Sequence, residues 1–229
     1  MPTNLKITES YGLSRSPFAQ TFAELPAALA IFPLSGAVVM PTSYLPLNIF
    51  EPRYLNMVTD AMRGDQLIGM VQPLTRRAVG DESEIHLVGT CGRIVQYEET
   101  TDGRMNIVLN GLCRFRIDNE IATTRGYKMV SPDWSSFAED FETAAPRAQA
   151  EYDQLKLLIK RYIDDNDFDP KWKEVVDNAE PCQLISNAIS YLPFSPQDKQ
   201  FLVETVAFDD LLSATIAVMQ TQGAGDTKH

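Results

Sequence analysis

The spacing of apolar residues in this chain changes from the period of strands to the period of helices near its midpoint. In the first half, residues 67 to 71 form an apolar run closed by Pro73, and residues 113 to 117 alternate with period two. In the second half the apolar residues recur at steps of four and three, as in Ala148, Tyr152, Leu155, Ile159 and Tyr162. Strands first and helices afterwards predict an α+β protein, in preference to an alternating βαβ fold.

Two local signals refine the strand half. Asp102 and Gly103 separate residues 93 to 97 from residues 105 to 109, and this predicts a hairpin because glycine supplies the positive φ of such turns. One helix is expected between the strands. It begins near Pro52, and its apolar face consists of Tyr54, Leu55, Val58 and Met62.

Capping residues refine the helical half. Ser195 followed by Pro196 and Asp198 is typical of a helix start, and Asp209 is expected to cap a last helix. The residues after 220 are small and polar, so we expect them to fray. The stretch from residue 131 to residue 151, rich in Ser, Ala and acids, is the expected boundary between the two halves.

Charge and cysteine usage restrict the class of protein. The 229 residues carry 31 acids and 20 bases, a net charge of -11, which weighs against nucleic acid and against anionic membranes as partners. No apolar run reaches the roughly 18 residues of a membrane span. Cys91, Cys113 and Cys182 form no CxxC pair and are typical of reduced core residues. We expect a cytoplasmic protein.

The motifs of catalysis and of cofactor binding are missing from the sequence. It holds no GxxxxGK[ST] loop, no GxGxxG after a strand, and no GxSxG or HExxH. His86, the one internal histidine, is expected to point outward from a strand into solvent. A solvated acidic loop is expected at Asp164, Asp165, Asp167 and Asp169, since the Gly and Glu of a calcium loop are lacking. We predict a protein that is not an enzyme and has no cofactor or metal.

Several segments along the chain carry long motifs in a characteristic order. They are residues 31–34, 45–54, 68–73, 89–94, 102–104, 111–117 and 192–200. Together they resemble the substrate-binding domain of Lon-type proteases, and the resemblance runs from about residue 20 to about residue 220. The motif at 45–54, Leu-Pro-Leu-Asn-Ile-Phe-Glu-Pro-Arg-Tyr, is the longest of them.

The resemblance implies an N-terminal PUA-like antiparallel β pseudo-barrel with one inserted helix, followed by a C-terminal helical bundle. We expect an extension at 1–24, the barrel at 25–131, the bundle at 132–220 and a disordered tail at 221–229. In full-length Lon proteases an ATPase and a Ser-Lys peptidase domain follow this module, and neither is found in these residues. The resemblance therefore implies a stand-alone bacterial member that binds unfolded or partner polypeptides without catalysis.

The signature residues of the resemblance have a physical interpretation. They are Glu51, Pro52, Arg53, Tyr54, Gly89, Arg93, Gly103, Gly111, Arg114 and Phe115. We expect them to specify the fold rather than to bind, because a barrel needs such turn and edge residues in any case. Arg93, Arg114 and Arg116 alternate with apolar neighbours, so we expect them on one exposed face.

The sequence offers candidates for an apolar binding patch and leaves alternatives open. The candidates are Phe18, Phe22, Val38, Val39, Met40 and Tyr44. One alternative is a small-ligand or enzyme site between barrel and bundle, where pockets commonly lie. Another is RNA binding, because other PUA-like barrels bind RNA. The polypeptide client, any partner ATPase or protease and the oligomeric state stay open.

Overall fold

Six strands form a sheet that closes on itself. The computed structural model describes residues 20–74, 84–142 and 144–225, with side chains as far as residue 221. The strands are β1 (Leu29–Pro33), β2 (Tyr44–Ile49), β3 (Leu67–Val71), β4 (Val88–Glu99), β5 (Met105–Ile121) and β6 (Lys128–Asp133). Their order is β2-β5-β4-β3-β1-β6, and β6 also pairs with β5. Five strands therefore make a ring, and β2 is attached to it through β5 alone.

The pairing within this ring is antiparallel with one exception. Strands β1 and β3 run parallel, with Ile31 opposite Gly69. The resemblance predicts an antiparallel barrel, and the parallel pair of β1 and β3 corrects that prediction. Parallel neighbours need a crossover connection, which here passes through β2 and a helix. The α+β class is confirmed.

The long strand β5 serves two partners along one edge. Its first residues pair with β2, and its last residues pair with β6. Gly111 lies between these stretches and donates its N–H to the Ser43 carbonyl at 2.9 Å. The two strands predicted at 105–109 and 113–117 are therefore one continuous strand. The predicted hairpin at Asp102-Gly103 joins β4 to β5, and Gly103 has a φ of +81°.

Six α-helices accompany the sheet in the described residues. They are α1 (Pro52–Arg63), α2 (Gln149–Asp165), α3 (Lys171–Asn178), α4 (Pro181–Tyr191), α5 (Pro196–Glu204) and α6 (Phe208–Gly225), with short 3₁₀ segments at Phe22–Glu24 and Ser135–Phe141. Ser195 caps α5 as predicted and accepts the Asp198 N–H at 3.0 Å. Asp209 lies inside the first turn of α6 instead of capping it. Helix α3 was not predicted.

The end of α6 differs from the sequence-based expectation. Fraying was expected after residue 220, but the helix continues to Gly225. Residues 226–229 of the expected tail lie outside the described residues, as do residues 1–19 of the expected extension.

The helical half packs directly on the strand half. One cluster of buried side chains combines Val38, Met40 and Cys113 from the strand half with residues of α2, α4, α5 and α6. A second cluster fills the barrel beneath α1, where Met57 and Val58 are fully buried. Apolar burial of this kind is the main favourable contribution to folding.

A buried ion pair joins the two halves. Arg114 on β5 is only 4% exposed. Its Nη2 lies 2.7 Å from Asp140 Oδ1, and its guanidinium also donates to the Val206 carbonyl and stacks 4.7 Å from the Phe137 ring centroid. The 3₁₀ segment and the α5–α6 connection thus cover this position.

The expected exposure of the three arginines is wrong for Arg114. Arg116 shares its face of β5 and is exposed, because the covering segments do not reach that far. Arg93 is half-buried on β4. Alternation along a strand predicts the face of a side chain, but not what covers it.

Replacing Arg114 by Ala should destabilise the protein by about 3 to 5 kcal/mol, because Asp140 would keep a buried charge without its partner. The measurement is urea unfolding followed by circular dichroism. Arg116→Ala is the matched control on the same strand face and should change the free energy of unfolding by no more than about 0.5 kcal/mol. Equal losses in the two variants would contradict the assigned role of the ion pair.

A buried lysine makes a second contact between the halves. Lys199 on α5 donates to the Gly36 carbonyl at 3.2 Å and to the Ser190 carbonyl at 3.1 Å. Removal from water disfavours the charged ammonium, so burial lowers the pKa of Lys199. The loop after β1, the end of α4 and α5 therefore meet at one cation.

This burial predicts a pH dependence of stability. The folded chain binds the Lys199 proton less tightly than the unfolded chain, so the free energy of unfolding rises with pH between the lowered pKa and the usual value of about 10.4. Lys199→Met should abolish that rise, so the difference in stability between wild type and variant should shift in favour of wild type from about pH 7 to about pH 10. Urea unfolding at both pH values measures it. The exposed Lys171→Met is the control, and a pH-independent difference for Lys199→Met would contradict the prediction.

Candidate functional site

Three large apolar side chains are exposed on β4 and directly after β2, where Ile49 and Glu99 both lie opposite Met105 on β5. Phe50, which follows β2, is 60% exposed, and Val95 and Tyr97 on β4 are 48% and 37% exposed. Val95 lies at an irregularity in the β4–β5 pairing, between Ile94 and Gln96. We call Phe50, Val95 and Tyr97 the end surface.

Polar residues connect the three strands near Phe50. Asn106 on β5 lies opposite Glu98 on β4 and Asn48 on β2, and the Asn48 Nδ2 donates to the Asn106 Oδ1 at 2.6 Å. Arg104 donates to the Asn48 Oδ1 at 3.4 Å, and its guanidinium lies 5.7 Å from the Phe50 ring centroid. Phe50 therefore lies beside amide groups and the Arg104 guanidinium, which also pairs with Asp102 at 2.9 Å.

The scaffold beneath the end surface is well packed. Ile49, Ile107 and Leu109 from the same strands are buried in the cluster that includes α1. Side chains carried by packed strands hold their positions better than side chains on loops. The end surface can thus offer apolar contact without a large ordering cost.

The structure brings four signature residues together beside Phe50. Glu51 and Arg53 flank Pro52 at the start of α1, and the Arg53 Nε donates to the Glu51 Oε2 at 3.0 Å. The Arg53 guanidinium lies 4.6 Å from the Tyr54 ring centroid, and Tyr54 is buried against Phe32. This turn directs the chain from β2 into α1 and sets the position of Phe50.

Other signature residues lie in the interior, away from that turn. Phe115 is fully buried. A Cβ atom at Gly111 would lie 2.0 Å from the Met40 carbonyl oxygen, and one at Gly89 would lie 2.4 Å from the Met70 carbonyl oxygen. Backbone segments approach these two glycines too closely for any side chain.

Three of the residues expected in an apolar patch are buried, so that expectation is wrong for them. Val38 and Met40 lie beneath the helical half, where the Met40 N–H donates to the Ser190 Oγ at 3.1 Å, and Val39 is buried in the barrel cluster beneath α1. Tyr44 is half-buried and Phe22 is exposed beside Phe141. Phe18 lies outside the described residues.

Sequence reasoning missed the members of the end surface. Phe50 stands directly before the Glu51-Pro52 helix start, where an apolar residue commonly packs back onto its own helix. Val95 and Tyr97 continue a buried strand past the point at which the core ends. A signal was present at Phe50, since an aromatic residue before a polar, proline-initiated turn is a candidate for a special role.

His86 was expected in solvent, but it faces the helical half. It is half-buried, and its Nδ1 lies 3.7 Å from the Glu204 Oε1 on α5. A cavity of about 10 Å³ lies nearby, between α5 and the strands, and is lined among others by Gly89, Thr90 and Gln200. Small-molecule sites usually measure hundreds of Å³, so this cavity gives no support to a ligand site between barrel and bundle.

In the described part of the chain, no three His, Cys, Asp or Glu side chains converge in a way that could hold a metal ion. Asp164 in the last turn of α2 pairs with Lys173 of α3 at 2.5 Å, and Asp169 in the following loop pairs with Lys171 at 3.9 Å. Within the same ranges, no helix has the length and apolar character to cross a membrane.

Comparison with known proteins identifies the family. Residues 28–221 match the model of the ATP-dependent protease La (LON) substrate-binding domain. This match covers most of the chain. The protein therefore belongs to the family of Lon substrate-binding domains, as the sequence motifs indicate.

The curated relatives are much longer proteins. The chain is 30% identical over 206 residues to a Lon protease of Flavobacterium johnsoniae, and 29% identical over 195 residues to one of Syntrophus aciditrophicus. These alignments cover 87% and 80% of this chain, but 24% of each relative. The chain thus spans about a quarter of the length of these relatives.

Solved structures show the same fold. The N-terminal domain of a Lon protease from the Mycobacterium avium complex superposes with a TM-score of 0.65 at 16% identity, covering 84% of this chain and 98% of that domain. A Lon N-terminal domain protein from Xanthomonas campestris gives 0.62 at 21% identity, covering 83% and 97%. At these identities the likeness concerns the fold.

The two glycine environments predict different costs of substitution. Gly111→Ala should destabilise by about 3 kcal/mol, because its Cβ would overlap the Met40 carbonyl and the surrounding backbone would have to move. Gly103→Ala should cost about 1 kcal/mol, since its Cβ meets open space and only the positive φ is unfavourable. Thermal and urea unfolding measure both, and a larger loss for Gly103→Ala would contradict the assignment.

Proposed function

We propose that this protein is a non-catalytic module of the bacterial cytoplasm that binds unfolded segments or a partner polypeptide at the end surface. Its membership of the Lon substrate-binding family is the observation that carries the proposal. The exposed Phe50, Val95 and Tyr97 on a well-packed scaffold support the choice of surface. Large exposed apolar groups are common at interaction sites.

Apolar burial supplies most of the affinity in this mechanism. An unfolded segment exposes aliphatic and aromatic side chains that a compact protein buries, and these can cover Phe50 and its neighbours. Folded proteins hide the same groups and should compete poorly. The protein then selects unfolded clients because only unfolded chains expose the apolar side chains that it binds.

Charge affects the rate at which a client associates more than it affects the affinity of the complex. The net charge of -11 attracts basic chains and repels acidic ones at long range. Salt screens this attraction over roughly 10 Å at 0.1 M, so higher salt should slow association while most of the affinity persists. The same negative charge disfavours RNA as the partner.

The proposal assigns no chemistry to this chain. The ATPase and peptidase motifs of Lon-type proteases do not occur in its sequence. In this proposal these residues bind a client and do not cleave it.

The experiment is a titration of reduced, carboxymethylated lactalbumin into the protein, followed by calorimetry. Phe50→Ser should weaken binding about tenfold, because it removes an exposed aromatic contact from the centre of the interface. Leu157→Ser is the matched control, since Leu157 on α2 is 67% exposed but far along the chain from the end surface. The control should bind like wild type.

Native lactalbumin is the competitor in the same assay. Equal affinity for the folded and unfolded forms would refute selection of unfolded chains. Equal weakening by the two serine variants would refute the end surface as the site. The carboxymethyl groups make this client acidic, so the negative protein repels it at long range, and binding that falls at high salt would refute apolar burial as the source of the affinity.

A further inference from the structure

Strand β2 has one long edge that the rest of the sheet does not use. Its inner edge pairs with β5 over six residues, from Tyr44 opposite Asn110 to Ile49 opposite Met105. The other five strands close into a ring. Within the described ranges, no strand pairs with the outer edge of β2.

The contacts of Tyr44 show which backbone groups face outward. The Tyr191 hydroxyl donates to the Tyr44 carbonyl at 2.7 Å, and the Tyr44 N–H donates back to that hydroxyl at 3.3 Å. Both groups of Tyr44 therefore point away from β5. Backbone direction alternates along a strand, so the groups of Pro46 and Asn48 lie on the same outer edge.

The outer edge thus offers a short pattern of donors and acceptors. Pro46 contributes a carbonyl and no N–H, whereas Asn48 contributes both. Pro46 and Asn48 are exposed, so solvent reaches this edge. Proline at an outward position leaves the β5 ladder intact, which explains why it is tolerated inside β2.

Tyr191 terminates the pattern at its helical end. Its ring is exposed, but its hydroxyl occupies both edge groups of Tyr44, as a strand partner would. At the other end, the pattern runs directly into Phe50. The accessible edge is therefore the stretch from Pro46 to Phe50, continuous with the end surface.

We propose that a client segment binds in an extended conformation as an added strand on the outer edge of β2, with an apolar side chain against Phe50. The occupant is a polypeptide because the edge presents backbone groups at the spacing of a strand, and an extended chain carries the complementary groups at that spacing. It must not place proline opposite Asn48. This inference rests on the proposed function and adds the binding mode.

The test uses a heptapeptide of alternating Val and Thr with a Lys at each end, and the same peptide N-methylated at its three central amides. The methyl groups block hydrogen bonding on both edges of the peptide while its side chains stay the same. We expect the methylated peptide to bind at least about tenfold more weakly, as loss of one or two hydrogen bonds implies. Amide hydrogen exchange at Asn48 should slow when the unmethylated peptide saturates the protein.

Tyr191→Phe gives a second readout that a purely structural role would not produce. It removes the hydroxyl from the edge groups of Tyr44, so a client strand can extend across them. The unmethylated peptide should then bind about threefold or more tightly, and the methylated one should not gain. Tyr152→Phe is the control, because its hydroxyl donates to the Ala179 carbonyl inside the helical half.

The outcomes separate the binding mode from the proposed function. Equal affinity of the two peptides, or unchanged exchange at Asn48 under saturation, overturns strand addition while leaving polypeptide binding at the end surface. Failure of both peptides and of carboxymethylated lactalbumin to bind overturns both proposals. Exchange at Asn48 that slows with protein concentration alone shows a second copy on this edge, and this also overturns the inference.

Discussion

The arrangement of the two halves depends on one buried guanidinium. Arg114 reaches from the long strand β5 to Asp140 in the 3₁₀ segment and to carbonyls between α5 and α6. A buried charge is tolerated only when its partners satisfy it, and these partners come from two segments outside β5. The ion pair therefore specifies how the helices sit on the barrel, whereas the apolar clusters on either side supply most of the stabilisation.

The barrel is closed, but one strand, β2, lies outside the closed ring. A closed ring removes the edges that lead to unwanted pairing, and most of the sheet follows this rule. Strand β2 departs from it, with Pro46 and the Tyr191 hydroxyl limiting how much of its edge is accessible. The exposed aromatic residue Phe50 lies where this edge ends. The Tyr191 hydroxyl limits the β2 edge at its helical end, and the exposed Phe50 lies at the other end.

Much of the fold could be predicted from local patterns. The apolar run at 67–71 coincides with β3, Pro52 begins α1, and Ser195 caps α5. Local chemistry decides these features, because turns and caps depend on neighbouring residues. The family resemblance is confirmed on the same motifs.

Features that depend on distant contacts could not be predicted in this way. Alternation placed Arg114 on the correct face of β5 but could not show that Asp140 covers it. Val38 and Met40 are apolar and follow a loop, and the packing of the helical half buries them, whereas Val39 is buried in the barrel cluster. The exposure of Val95 and Tyr97 was also not predicted, because the spacing of apolar residues along β4 does not show where the core ends.

The pairing of β1 with β6 has a consequence for how the chain comes to be folded. Leu29 lies opposite Val130, so the ring cannot close until nearly all of the strand half has been synthesised. Contacts between residues this distant in sequence form slowly, because the entropy of a long loop is lost before the contacts can stabilise the chain. Until then the edge of β1 that later pairs with β6 is accessible, whereas its other edge can already pair with β3. During its own synthesis, the protein thus presents a strand edge that the closed ring no longer offers.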